Sequence, residues 1–285
     1  MKQIKKVAVV GSGTMGRDIA QICAQYKFSC VLYDINADVL LKAKINIQED
    51  LQKLVTKGKI TSEESLGFFS NVFFTSDINN CKADLIIEAI VENIEIKKTL
   101  FDTIQKINTP DTIICSNTSS LSITQLSTCV DHPNRFAGLH FFNPATIMKL
   151  VEIVKGVHTD EDTILVLKEF VGAIHKSYVI CQDSPGFIVN RIARHYYVES
   201  LKILEEQGAT ISDIDDLLES VGFKMGPFRL MDMIGNDINY SVTKSLYEAF
   251  DYDPKFRPSR IQLQKVLSGN LGRKSGQGFY NYHSK

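Results

Sequence analysis

The chain carries almost no net charge: 32 lysines and arginines against 33 aspartates and glutamates leave −1 over 285 residues. A protein so balanced has no global field to gather a polyanion, which argues against nucleic acid or a membrane surface as partner. An anionic ligand needs a local basic patch instead. Paired cysteines are also lacking. Cys23, Cys30, Cys81, Cys115, Cys129 and Cys181 are scattered with no CxxC among them, so no metal site is expected and the thiols read as reduced and mostly buried. Long apolar runs are missing too. The stretch that ends at Gly11 is too short for the apolar region of a secretory leader, and no later run is long enough to cross a bilayer. No segment repeats, and none is of low complexity. These absences leave a soluble, cytoplasmic globular protein, and 44% hydrophobic residues give it core enough for two domains.

What is present is an alternation. Short β-branched runs at 6–10, 30–33, 72–74, 85–87, 112–115 and 136–141 are separated for the most part by helical patterns, among them 15–26, 37–55 and 94–107. Such alternation predicts an α/β fold, a Rossmann-like doubly wound, mostly parallel sheet with helices on both faces. Two further strands are predicted near 149–154 and 177–181. From Pro185 on, the strand signal stops. The stretches 186–207, 212–221, 237–250 and 257–268 read as helices, one of them starting with Ser212 as N-cap and Asp215 in its first turn. The expected boundary therefore separates an α/β domain over 1–184 from an all-α domain over 185–285.

The first strand runs straight into Gly11-Ser12-Gly13-Thr14-Met15-Gly16 and then into a helix. Glycine turns are common, but here strand, GxGxxG, helix, second strand and a closing Asp34 all fall at the spacings of a dinucleotide site. Gly11 permits the tight turn, Gly13 lets the backbone approach a diphosphate, and Gly16 allows close packing of helix on strand. The free amides at the helix start then bind the diphosphate. Asp34 accepts hydrogen bonds from the ribose and repels a 2′-phosphate, which favours NAD over NADP. The bland alternative is a glycine turn beside a surface aspartate, and it gives no reason for those spacings.

Of the six histidines, His132, His158, His175 and His283 sit in polar surroundings, and His195 lies in a helical stretch. His140 differs, ending the strand Phe136-Ala-Gly-Leu-His140-Phe-Phe before Asn143-Pro144; the chain resumes as Lys149-Leu-Val-Glu152-Ile-Val. An antiparallel connection centred on Thr146 sets residues 140 and 152 opposite each other, on one face of the sheet. A carboxylate against an imidazole fixes its tautomer and raises its basicity, as a general base requires. Spacing alone reads equally as a structural histidine beside an unrelated glutamate. Ser116-Asn117-Thr118-Ser119-Ser120 follows the carboxyl end of a parallel strand, where doubly wound sheets place ligands; it reads also as a hydroxyl-rich helix cap. Glu88 and Glu92 follow a buried strand in the same way, as cleft residues or as plain helix-start glutamates.

Together these segments resemble the 3-hydroxyacyl-CoA dehydrogenase family, and within it the bacterial 3-hydroxybutyryl-CoA dehydrogenases. The resemblance rests on GSGTMG at 11–16, IIEAIVEN at 86–93, SNTSSLSIT at 116–124, FAGLHFFNP at 136–144, MKLVEIV at 148–154, SPGFIVNR at 184–191, MGPF at 225–228 and LGRKSGQGFY at 271–280. Any one of these motifs is weak, but their common order along nearly the whole chain is specific. The resemblance implies hydride exchange between a nicotinamide and C3 of a short acyl-CoA. It makes His140 the general acid/base, Glu152 its orienting partner, and Ser119 and Asn190 the hydrogen-bonding partners of the reacting end. It puts NAD contacts on the glycine loop, Asp34, Glu92, Lys97, Asn117, Asn143 and Lys274. It further implies a site in a cleft between domains and a homodimer formed through the C-terminal domain. For the coenzyme A phosphates, Lys53 and Lys57 stand four apart on one helix face, although a solvated surface helix explains them as well.

Two departures stand out. Ala145-Thr146-Ile147 follows Asn143-Pro144 where the family often has a second proline. Arg229 stands where many relatives carry an acid, so it suits an acyl chain ending in a carboxylate, as in 3-hydroxyadipyl-CoA, or pairs with Asp232; the pairing is the reading preferred. A β-hydroxyacid dehydrogenase shares the glycine opening but needs an interdomain lysine, and residues 186–194 offer Asn190 and no lysine. A non-catalytic NAD-binding protein has no use for His140, Glu152, Ser119 and Asn190 together.

Overall fold

The computed structural model describes residues 3–283. The chain divides into two compact units, the first ending at Ser184 and the second beginning at Pro185.

In the first unit the strands are β1 (Lys6–Val10), β2 (Ser29–Tyr33), β3 (Val72–Thr75), β4 (Leu85–Glu88), β5 (Ile113–Ser116), β6 (Phe136–Phe141), β7 (Leu150–Lys155) and β8 (Ser177–Gln182). The helices are α1 (Thr14–Gln25), α2 (Ala37–Thr56), α3 (Ser62–Ser70), α4 (Ile94–Ile107), α5 (Ile123–Ser127) and α6 (Glu161–Ala173). The strands join in one sheet of order β3-β2-β1-β4-β5-β6-β7-β8. It is the mostly parallel, doubly wound sheet that the alternation predicts: β1 to β6 run parallel, β7 turns back against β6, and β8 runs with β7. β4, β5 and β6 are buried along their whole length, as strands covered on both faces must be. Their side chains form one core with α1, α2 and α6, through Val7, Val9, Ile19, Ile47, Ile87 and Phe170 among others. The order of the sheet reverses between β1 and β4, the switch point where such sheets open a crevice at the carboxyl ends of the strands.

Helix starts follow side-chain chemistry. Asn36, Asn93 and Asp160 each accept amides at the starts of α2, α4 and α6. α3 opens with a reciprocal capping box of Thr61 and Glu64. All six cysteines are free and five are buried; burial pushes the Cys81 thiol up to about 12.

The second unit is helical: α7 (Val189–Glu205), α8 (Ile211–Ser220), α9 (Pro227–Ile234), α10 (Asn236–Ala249) and α11 (Arg260–Leu267). Tyr197, Leu201, Ile214, Phe228 and Met231 form its core. The expected helix start at Ser212 is corrected: Thr210 is the N-cap of α8 and closes a capping box with Asp213. Asp215 does other work. Fully buried, it accepts the amides of Phe228 and Arg229 at 2.9 and 3.0 Å and the Tyr280 hydroxyl at 2.8 Å. It thereby caps α9, whose own flanking residue Gly226 has no side chain to do so. Asp232 ties the C-terminal segment by accepting from the amides of Phe279 and Tyr280, both at 2.9 Å.

Candidate active site

The turn from β1 to α1 is built for close approach. Gly11 has φ +102°, and a Cβ there would come within 2.6 Å of the Ala89 carbonyl oxygen. A Cβ on Gly16 would strike the Gly11 carbonyl, so helix and strand meet at a distance only glycine permits. A Cβ on Gly13 would meet nothing, and Gly13 and Thr14 face solvent while Met15 packs on the core. No side chain caps α1, so its first amides keep their donors and their positive dipole end for an anion. Asp34, at the end of β2, accepts the Ser12 amide at 2.7 Å and the Ser12 hydroxyl at 2.9 Å through one oxygen, and the Asn36 amide at 2.9 Å through the other. Beside it opens a cavity of about 790 Å³, walled mainly by apolar groups such as Ile35, Ile78, Ile90, Ile96 and Leu100. Apolar walls for a flat base, an acid at one edge and uncapped helix amides at the other match the parts of an adenine dinucleotide. NAD fits these residues.

Across the switch point lies a buried ion network. Glu88, the last residue of β4 and wholly buried, accepts Lys97 Nζ at 2.6 Å, Ser116 Oγ at 2.6 Å and the Ile90 amide at 2.7 Å. The Lys97 ammonium, 1% exposed, reaches on to Glu92 at 3.1 Å. Glu92 in turn accepts the Thr118 hydroxyl, the Ser119 amide at 3.1 Å and the Ser120 hydroxyl at 3.0 Å. Burial opposes ionisation of Glu92, but the Lys97 ammonium and these donors outweigh it and hold the carboxyl below its ordinary value. The loop after β5 is thus clamped to the loop after β4.

That loop also meets β6. Asn117 Oδ1 accepts the Phe141 amide at 2.8 Å, and the Asn117 amide donates to the Glu88 carbonyl oxygen. One residue before Phe141, His140 stands opposite Glu152 in the antiparallel register that the connection length predicts. Its Nδ1 lies 2.7 Å from Glu152 Oε2, and Glu152 is fully buried and His140 nearly so. Its ring also lies against Phe142, with centroids 4.6 Å apart. The other five histidines are exposed. The turn joining β6 to β7 is latched from below: Lys176 Nζ donates to the carbonyls of Ala145 and Met148 at 2.7 and 2.6 Å. Burial pushes the Lys176 ammonium below its ordinary value, against the opposing pull of Asp18.

A mostly parallel sheet, a dinucleotide turn and a carboxylate-held imidazole delimit the possibilities, and family comparison decides among them. The model of the 3-hydroxyacyl-CoA dehydrogenase NAD-binding domain matches residues 6–184, and that of the 3-hydroxyacyl-CoA dehydrogenase C-terminal domain matches residues 186–282. The chain belongs to the 3-hydroxyacyl-CoA dehydrogenase family. It is 43% identical to an Escherichia coli protein named 3-hydroxyadipyl-CoA dehydrogenase, over 100% of this chain but only 60% of that protein. The chain thus spans about three fifths of that relative's length. It is 39% identical to the pig mitochondrial hydroxyacyl-coenzyme A dehydrogenase, over 98% of this chain and 91% of the relative. A crystal structure titled 3-hydroxybutyryl-CoA dehydrogenase, from Escherichia coli, superposes with a TM-score of 0.97 at 43% identity, covering 100% of this chain and 61% of that one.

Within this dehydrogenase scaffold the first unit gathers the glycine loop, Asp34, Glu92, Lys97, Asn117, Ser119 and His140 at the carboxyl ends of β1, β2, β4, β5 and β6. Asn143 follows on the exposed turn after β6, ahead of a cis peptide bond to Pro144. Lys97 Nζ holds Glu88 at 2.6 Å and Glu92 at 3.1 Å, which uses two of its three N–H donors. In the second unit, Asn190 is half-buried in the first turn of α7, and Lys274 pairs with Asp237 at 2.7 Å. Lys53 ends α2 paired with Asp50 at 2.8 Å, and Lys57 is the exposed residue that closes the helix. The pairing expected for Arg229 is corrected. It contacts Asp216 at 2.8 Å and Glu219 at 3.0 Å, not Asp232, whose oxygens are taken by backbone amides. Lys176 escaped the sequence reading, and Ser116 entered it only as part of the hydroxyl-rich run after β5. A lone lysine carries no pattern, and only the fold shows what each of the two ties.

Proposed function

We propose that this chain interconverts (S)-3-hydroxyacyl-CoA and 3-oxoacyl-CoA with NAD as the redox partner, on a short acyl chain. The observation that carries the reading is the buried His140–Glu152 pair beside the loop that Asn117 and Ser119 occupy. NAD, when bound, supplies the hydride acceptor or donor. The glycine loop and the open amides of α1 hold its diphosphate, and Asp34 its ribose. Glu152 keeps the proton of His140 on Nδ1, which leaves Nε2 to take the proton of the C3 hydroxyl during oxidation and to return it during reduction. The carboxylate stabilises the imidazolium formed in between. Ser119 and Asn190 hydrogen-bond the C3 oxygen and so orient it for that transfer. Lys97 acts one step back. Held between Glu88 and Glu92, it fixes the Ser119 loop and the end of β4, and its third N–H serves the NAD contact of this reading.

Homodimerisation through the second unit, a cytoplasmic location and coenzyme A phosphate contacts from Lys53 and Lys57 belong to the same reading. The Escherichia coli relative is named for an adipyl substrate and the similar crystal structure for a butyryl one, so the far end of the acyl chain is the variable within it. NADH oxidation with acetoacetyl-CoA as substrate tests the reading, with NADPH run in parallel. Turnover with NADH and much less with NADPH is expected; no turnover with either would sink it.

A further inference from the structure

The turn that carries β6 into β7 has little of its own to hold it. Residues 143–149 are exposed except Ala145, which packs into the core. The turn reads Ala145-Thr146-Ile147, with no second proline to stiffen it. Within it the Pro144 carbonyl accepts the amides of Ile147 and Met148 at 3.0 and 2.9 Å. The ladder between the two strands has ended by then, at Phe141 opposite Val151. Among the described residues, the hydrogen bonds that tie residues 143–148 to the rest of the chain come from one side chain. The Lys176 ammonium is shared by the carbonyls of Ala145 at 2.7 Å and Met148 at 2.6 Å. Bonds from a charged donor are roughly twice as strong as neutral ones, and carbonyl dipoles that converge on one cation oppose each other without it.

Lys176 is itself firmly placed. Its amide donates to the Val171 carbonyl at the end of α6 at 3.1 Å, and the next amide, of Ser177, donates to the Lys149 carbonyl at 2.9 Å. The His175 ring before it stacks on Tyr26, with centroids 4.9 Å apart.

What the turn presents gives the latch its consequence. Asn143 stands three residues after His140, and its side chain has no hydrogen-bond partner among the described residues. His140 does not depend on the turn. Its strand is buried throughout and paired on both sides, with β5 and β7, and Glu152 is paired onward to β8. Asn143 lies outside that ladder and takes its orientation from the turn. On the dehydrogenase reading, on which this inference rests, Asn143 contacts NAD. We propose that Lys176 is a positioning residue for the cofactor: by drawing the Ala145 and Met148 carbonyls together it holds Asn143 in place for NAD, so that its loss is felt in cofactor affinity and hardly in the chemical step.

The test uses Lys176→Met, which keeps an unbranched stem and removes the ammonium. In the free chain, hydrogen exchange at the Ile147 and Met148 amides should quicken about tenfold or more while β6 and β7 keep their protection. The dissociation constant of NADH, followed by its fluorescence, should rise about tenfold. Turnover at saturating NADH and acetoacetyl-CoA should stay within about threefold of wild type, since binding and not the transfer has been weakened. If Lys176→Met does not fold, Lys176→Arg and Lys176→Gln carry the comparison. NADH affinity should then follow the charge, with the arginine variant near wild type and the glutamine variant well below it. Unchanged exchange at Ile147 and Met148, or unchanged NADH affinity, overturns this inference and leaves the dehydrogenase reading intact. So does a loss confined to kcat, or equal NADH affinity in the arginine and glutamine variants. A wild-type chain that binds no NADH, or turns over no acetoacetyl-CoA, sinks the dehydrogenase reading itself.

Discussion

Two buried cations, one in each unit, are treated in opposite ways. In the first, each buried ion has its partner: Lys97 sits between Glu88 and Glu92, and His140 sits against Glu152. In the second, Arg194 is buried beside Asn239 and Gln262 with donors and acceptors left over. The difference separates two uses of polarity in a protein interior. A satisfied network holds loops in one arrangement, because every member loses a hydrogen bond if any of them moves. An unsatisfied one carries the cost of its unmatched groups.

Substitutions at the charged sites test that contrast. The largest effect is expected at the pair that handles the proton: His140→Gln should lower kcat by about 10²–10⁴ while NAD affinity is kept. Steady-state rates beside a cofactor titration check it, and near-normal turnover would remove His140 from the mechanism. Next comes the paired cation. Lys97→Met leaves the wholly buried Glu88 without a counter-charge, and should cost about 3–5 kcal/mol in denaturant unfolding. Arg194→Met removes a cation that has no carboxylate, and should cost much less. Equal losses at the two sites would erase the distinction drawn here. The smallest effect concerns Glu92. Its carboxyl is held below the ordinary value in the folded chain, so the unfolded chain takes up the proton first as pH falls. The stabilisation from ionised Glu92 is complete above the ordinary carboxylate range and is lost as pH falls through its folded value. The melting-temperature gap between wild type and Glu92→Gln should therefore shrink on acidification. A gap independent of pH would contradict the assigned shift.

Much of the first unit was legible because its signals are local. β1 with the glycine loop, β6 and α4 lie where the β-branched runs and helical periodicities put them. The opposition of His140 and Glu152 follows from counting across a single turn. α8 was placed late because Ser212 and Thr210 are both good caps, and the choice fell to Thr210, which has Asp213 at the distance a capping box needs. The partners of Arg229 could not be read at all. Asp216 and Glu219 lie on a different helix, α8, and which carboxylate faces the arginine depends on how α8 and α9 pack. The same holds for Lys176, whose carbonyl partners lie 28 and 31 residues away.

Neighbouring residues alone specify the sheet-forming runs, the cofactor turn, the acid at position 34 and the family, since each is written in a spacing that matches a backbone period. Which charges are spent on one another and which are left over is settled by packing. Counter-charges come from segments far apart in the chain, and solvent exclusion, which makes an unpaired group costly, exists only once those segments have packed.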